Sequence, residues 1–148
     1  MPNIVESALD LGNLLKQTED PACGALVVFE GTVRNHHEGK GVASMRYTAY
    51  KPLGERVLAE LEQEVKSRFN VPVCRIVHRI GPLEVGDASV VVVVRSAHRE
   101  QAFEAAKYAI DTLKIRAPVW KNDYYTDGTS AFQEGVSLAQ CNDEDRHG

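Results

Sequence analysis

The chain has 148 residues, 43% of them hydrophobic and 26% charged, with a formal net charge of −4. This is an average globular composition, and it excludes a disordered, collagen-like or disulfide-dense chain. The length fits one domain, and the acidic balance fits neither nucleic acid nor an anionic membrane as partner, so an anionic ligand needs a local basic cluster.

In chain order, residues 3–6 read as a short strand and 8–17, with Leu9, Leu11, Leu14 and Leu15, as a short helix. Residues 24–33 are β-rich, with Gly31 as a bulge or a point of close approach. The polar stretch 34–41 (RNHHEGKG) reads as a mobile loop, and 42–50 alternates as a strand with Met45, Tyr47 and Ala49 on one side. Residues 52–70 place Leu53, Val57, Leu58, Leu61, Val65 and Phe69 on one helical stripe, with Pro52 in the first turn. Residues 71–78 form a strand, and 80–83 and 85–87 read as turns.

Residues 88–95 hold five consecutive valines, the pattern of a central strand buried on both faces. Ser96 is the expected N-cap of a helix over 98–116 that buries Phe103, Ala106, Ile110 and Leu113, and Pro118 ends it. Strands at 119–126 and 130–133 flank an Asp127-Gly128 hairpin turn. The expected fold is α+β, with helices packed on a mostly antiparallel sheet in a single domain over 1–137. A polar, frayed tail over 138–148 follows.

Three widely spaced cysteines, Cys23, Cys74 and Cys141, form no CxxC pair, which leaves no zinc ribbon or thioredoxin-type site and suits free thiols in a reducing compartment. The opening residues hold no basic stretch followed by an apolar one, so no secretory leader is expected, and the apolar run at 88–94 is too short to span a bilayer. A cytoplasmic protein without membrane contact is expected. No dinucleotide, P-loop or GxSxG pattern occurs. His36 and His37 invite a metal reading, but adjacent residues do not converge on one face and nothing nearby completes a ligand set.

Three groups carry candidate chemistry. Arg34 sits where a strand opens into the glycine-containing loop. Ser96-Ala97-His98-Arg99 opens a helix, where backbone N–H groups favour anions; Arg99 can grip a phosphate with paired hydrogen bonds, and His98 can donate or carry a proton. Lys114 and Lys121 bracket a Pro-Val-Trp corner. Each group has a plainer reading: Arg34 as a solvated side chain, Arg99 as an unemployed one, Lys114 as the cation a helix C-terminus prefers. Apolar neighbours and nearby positive charge would lower a lysine pKa and make it a usable proton-transfer group or nucleophile.

In order and spacing, these pieces resemble the large, catalytic subunit of molybdopterin synthase. The resemblance is carried by Phe29-Glu30-Gly31-Thr32-Val33-Arg34-Asn35-His36, by Tyr47 and Tyr50, and by His78-Arg79-Ile80-Gly81 with Leu83 and Gly86. It continues through Ser96-Ala97-His98-Arg99 with Ala102-Phe103, then Asp111, Leu113-Lys114, Ala117-Pro118 and Trp120-Lys121, and covers roughly residues 22–125. It implies an α/β-hammerhead fold and a homodimer within a heterotetramer. The partner is a small ubiquitin-like sulfur carrier with a C-terminal Gly-Gly thiocarboxylate. The implied reaction transfers two sulfurs to cyclic pyranopterin monophosphate (precursor Z), forming the molybdopterin dithiolene, with no metal and no cofactor.

The resemblance carries Lys114 and Lys121 onto the catalytic lysines. It carries Thr32, Val33, Arg34, His98 and Arg99, with both lysines, onto substrate-binding positions. Asn122 and Asp123 follow where the family also contacts substrate, although it often has a basic residue and Glu there. Leu53-Gly54 replaces a Met-Ala pair common in the family. Lys114 acts either as general acid/base or by holding the thiocarboxylate, and Lys121 stabilises developing negative charge. A non-catalytic module that binds a ubiquitin-like tail or a small phosphate ligand is the alternative.

Overall fold

Five valines at 90–94 are buried on both faces of one strand, and the rest of the fold supplies the layers that cover them. A computed structural model describes residues 1–133. The segment expected as a tail at 138–148, and the expected domain end at 137, lie outside the described residues. The elements are β1 (Ile4–Val5), α1 (Leu11–Gln17), β2 (Ala25–Thr32), β3 (His36–His37), β4 (Lys40–Ala49) and α2 (Lys51–Phe69). Then follow β5 (Val73–Arg79), β6 (Gly81–Glu84), β7 (Ala88–Ser96), α3 (Arg99–Arg116), β8 (Val119–Tyr125) and β9 (Ser130–Gln133).

Two sheets form. The first runs β1-β5-β7-β2, antiparallel except for the β1–β5 pair. On one of its faces Val90, Val92 and Val94 meet α2 and α3 through Leu58, Leu61, Val65, Ala102, Ala105 and Ala109. On the other, Val91 and Val93 meet Leu14 of α1. Strand alternation sends successive valines to opposite layers, so removing either layer would expose a β-branched row. In the second sheet β4 is central, bonded to β8 along one edge and to β3 and β6 in succession along its length, with β9 beyond β8. Val33, Met45 and Leu83, with Tyr47 against them, form a small third core where the sheets meet.

Several local expectations change. The expected loop at 34–41 is a hairpin, because Glu38 and Gly39 both take positive φ (50° and 81°), the geometry of a tight two-residue turn. The expected turn at 80–83 is strand β6, which pairs with β4. Ser96 is buried and donates its hydroxyl to the His98 carbonyl, and His98 itself, in extended backbone, is the N-cap of α3. Phe103 is 61% exposed; the buried stripe of α3 runs through small alanines instead, which lets the helix lie close on the sheet.

Gly54 explains the departure at 53–54. A Cβ there would lie 2.4 Å from Ile4 Cδ1, so glycine lets α2 press directly on β1. Glu62 holds the same strand by accepting from Asn3 Nδ2 (2.8 Å), Arg75 Nη1 (2.7 Å) and the Ile76 amide (2.7 Å). Cys74 lies in the core, where burial pushes its thiol up to about 12, so it is no nucleophile. Among the described residues no helix is long and apolar enough to cross a membrane.

Candidate active site

A cavity opens at the seam between the two sheets. Thr32 and Arg34 come to it from the end of β2, and Lys121 and Asp123 from β8. The β2 end is bent by a register shift between Gly31 and Thr32, and a Cβ on Gly31 would sit 3.0 Å from Val90 Cγ1. The close approach expected at Gly31 is therefore present. Val33 is buried, its backbone tied to the turn before β7 by Val33 N–H to Asp87 O (3.0 Å) and Gly86 N–H to Val33 O (2.9 Å). It anchors the strand while its neighbour Arg34 stays exposed.

Lys114 and Lys121 are brought near each other by a reversal of the chain. Lys114 is exposed in the last turn of α3, Ala117 leaves helical geometry (φ −72°, ψ 127°), and Pro118 turns the chain into β8. Lys121 pairs in register with Tyr47 of β4, and Asp123 with Met45. Their side chains share the inner face, with Lys121 Nζ 3.8 Å from Asp123 Oδ2. Asp123 is fully buried. Partial burial pushes the Lys121 amine below the ordinary lysine value; Asp123 opposes this, and the charges of Arg34 and Lys114 add to it. One amine thus feels both other cations, which puts Arg34, Lys114 and Lys121 in one electrostatic cluster with a buried carboxylate beneath.

Not every expected residue joins it. Asn122 alternates to the other face of β8, with Nδ2 3.4 Å from the Tyr124 hydroxyl. His98 and Arg99 line a separate groove with Gly24, Leu26 and Phe103. That groove lies at the opposite end of β2, because Ala25 pairs with Ser96 while Thr32 pairs with Ala88. Seven strand steps make the separation about 23 Å. Within one protomer the two basic groups are distinct.

The structure also adds residues to which the sequence assigned no part in binding or transfer. Tyr47, Ser89 and His37 line the first cavity. The register of β4 against β8, which places Tyr47 beside Lys121, is invisible until the strands pair.

Fold and site together define an α+β protein with a cationic cavity suited to a small anion or a carboxylate-ended peptide. The sequence model of the MoaE protein family matches residues 4–116, and the chain belongs to that family. It is 41% identical over 129 residues to the molybdopterin synthase catalytic subunit of Thermoplasma volcanium, covering 87% of this chain and 94% of the relative. The crystal structure of molybdopterin synthase from Staphylococcus aureus superposes with a TM-score of 0.84 at 35% identity, covering 89% of this chain and 96% of that one. A complex of subunits 1 and 2 of the molybdopterin-converting factor from Helicobacter pylori superposes with a TM-score of 0.70 at 26% identity, covering 88% of each chain.

Proposed function

We propose that this chain is the catalytic subunit of a molybdopterin synthase working in the cytoplasm. It takes sulfur from the C-terminal thiocarboxylate of a small ubiquitin-like carrier and delivers two sulfurs to cyclic pyranopterin monophosphate. The observation that carries this reading is the shared cavity, where Lys121 is desolvated and also feels Arg34 and Lys114. A carboxylate-ended tail and a phosphorylated substrate are both anions, and cations at a partly dry seam hold them more strongly than cations in open water. Lys114, exposed in the last turn of α3 and near enough for its charge to act on Lys121, is the main catalytic group. Lys121, held by Asp123, stabilises developing charge. Thr32 and Arg34 contact substrate, while Val33 and Asp123 set the positions of their neighbours.

His98 and Arg99 enter this reading from a second copy. β2 is the outer strand of the first sheet, with Leu26 and Phe29 partly exposed along it. Antiparallel pairing of two such edges about a two-fold axis inverts one strand against the other. The His98–Arg99 end of one protomer then lies beside the Arg34 end of its partner, and the two basic groups complete each other.

The test is conversion of precursor Z in vitro with a thiocarboxylated carrier, read as molybdopterin. Lys114→Ala is expected to abolish product with the fold intact; wild-type turnover would remove that lysine from the mechanism. Carrier binding without any sulfur incorporation by the wild type would instead mark a non-catalytic binding module. Mixing inactive Arg34→Ala and Arg99→Ala chains tests the shared site. Random exchange makes half the dimers mixed, each with one intact site, so about a quarter of wild-type activity should return. No recovery would place both residues in one protomer's site.

A further inference from the structure

Sulfur transfer from a thiocarboxylate needs a proton acceptor as well as a proton donor. The sulfur starts bonded to the carrier's terminal carbonyl carbon. When it bonds to a carbon of the substrate, an oxygen there leaves with a proton from a lysine ammonium, and the sulfur then joins the two molecules as a thioester. Product is free only after water cleaves the bond between that sulfur and the acyl carbon, and some group must take a proton from the water. An ammonium has no lone pair to receive it, and a guanidinium keeps its charge throughout. Lys114 is exposed, so its amine regains a proton from solvent after giving one up. Asp123 is fully buried, with its carboxylate 3.8 Å from Lys121. Imidazole is the side chain that both takes and returns a proton near neutral pH.

Among the described residues that border the cavity, His36 and His37 carry imidazole. The hairpin aims one of them inward. His37 pairs with Lys40, and Lys40 and Val42 lie two residues apart on β4, so the three share one face of the strand pair. Val42 is buried in the cavity wall, and the His37 side chain is only 18% exposed. His36 alternates to the other face, is exposed, and has its Nδ1 2.9 Å from Asn35 Oδ1. The second sheet holds the hairpin in place. Val42 N–H donates to the Asn35 carbonyl (2.7 Å), Thr126 N–H donates to the Gly41 carbonyl (2.8 Å), and Lys40 Nζ stands 5.0 Å over the Tyr125 ring. Glu38 places a carboxylate oxygen 3.9 Å from His37 Nε2, so a proton gained by the ring meets an opposite charge.

We infer that His37 is a further catalytic residue, the base that takes a proton from the hydrolytic water and so frees the carrier. This rests on the proposed reading of the cavity as the transfer site. The water oxygen bonds to the acyl carbon as a ring nitrogen of His37 takes one of its protons. The carbon–sulfur bond then breaks, and the sulfur keeps the electron pair and stays on the substrate. It takes the proton back from the imidazolium, and the carrier leaves with an ordinary carboxyl group in place of the thiocarboxylate. His37 is neutral again for the second transfer.

The test uses the full chain with thiocarboxylated carrier and precursor Z, acid-quenched at intervals and read by mass spectrometry of the carrier. In His37→Gln the first bond still forms, so carrier joined to substrate should accumulate, and its hydrolysis should be about a hundredfold slower than in the wild type. Imidazole in the buffer should restore hydrolysis in His37→Ala. Wild-type kcat in His37→Gln overturns the assignment. So does a loss of product without the joined species, which would place His37 in substrate binding, and so does accumulation in His36→Gln but not in His37→Gln. Lys114→Ala separates this step from the reading of the site. If Lys114→Ala turns over like the wild type, the site reading fails and the role of His37 with it. If Lys114→Ala yields neither product nor joined species while His37→Gln turns over normally, the role of His37 alone fails.

Discussion

His78 should make the protein lose stability in mild acid. Its ring is buried, packed against Tyr47 beneath the cavity. Its amide donates to the Asn3 carbonyl (2.7 Å), and its Nδ1–H donates to the Arg79 carbonyl (2.8 Å), which fixes the neutral tautomer because a carbonyl only accepts. Burial pushes its pKa from 6.5 down to about 4, against a smaller opposing effect of the Arg79 carbonyl. A shift of that size is worth about 3 kcal/mol. The sign follows from which state binds the proton. Above pH 6.5 the ring is neutral folded and unfolded, and pH has no effect through it. Between 6.5 and 4 the unfolded chain takes a proton that the folded chain refuses, so stability falls as pH falls, and below 4 the loss is complete. Urea unfolding of the wild type and of His78→Gln, which cannot charge, at pH 8, 6, 5 and 4.5 reads the effect directly. The wild type should lose about 2.5 kcal/mol more than the variant between pH 8 and 4.5. Parallel losses in the two proteins would refute the reasoning.

Three further outcomes follow from the same structure. Glu62→Ala leaves Arg75 and Asn3 without their shared acceptor and should cost about 3 kcal/mol in chemical denaturation, as expected when one partner of a buried pair is removed. Arg116→Ala breaks only the half-exposed pair with Glu64 at the end of α3 and should cost about 1 kcal/mol or less by the same measurement. The Lys121 amine, followed by NMR after isotopic methylation, should titrate below the ordinary lysine value. Arg34→Ala should raise it, since one repelling charge is gone; no change would mean that Arg34 lies too far away to share the cavity.

Much of the fold is legible in the residues because its signals are local. The valine run announces a strand buried on both faces, and α1 and the α2–α3 layer cover those faces. The stripe of α2, the break at Pro118 and the Asp127-Gly128 turn each follow from short-range sterics and periodicity. Local rules fail where the partner is distant. Phe103 fits the apolar period of α3, yet the helix turns its alanines inward. Ser96 has the chemistry of an N-cap, yet its hydroxyl is taken up by the His98 carbonyl. The polar stretch at 34–41 becomes a hairpin because β4 extends back to Lys40 and gives it a strand to pair with.

The site divides along the same line. The sequence by itself determined which residues carry charge and reactive protons: Arg34, His98, Arg99, Lys114, Lys121 and Asp123 are readable one by one, since chemistry belongs to the side chain. Only the tertiary structure decided which of them act on one another. Strand register set Lys121 over buried Asp123 and beside Tyr47, and sent Asn122 to the opposite face. The antiparallel run of β2 against β7 put His98 and Arg99 at the far end from Arg34. Distance and burial between residues far apart in sequence depend on pairing and packing across the whole chain, and no local pattern encodes them.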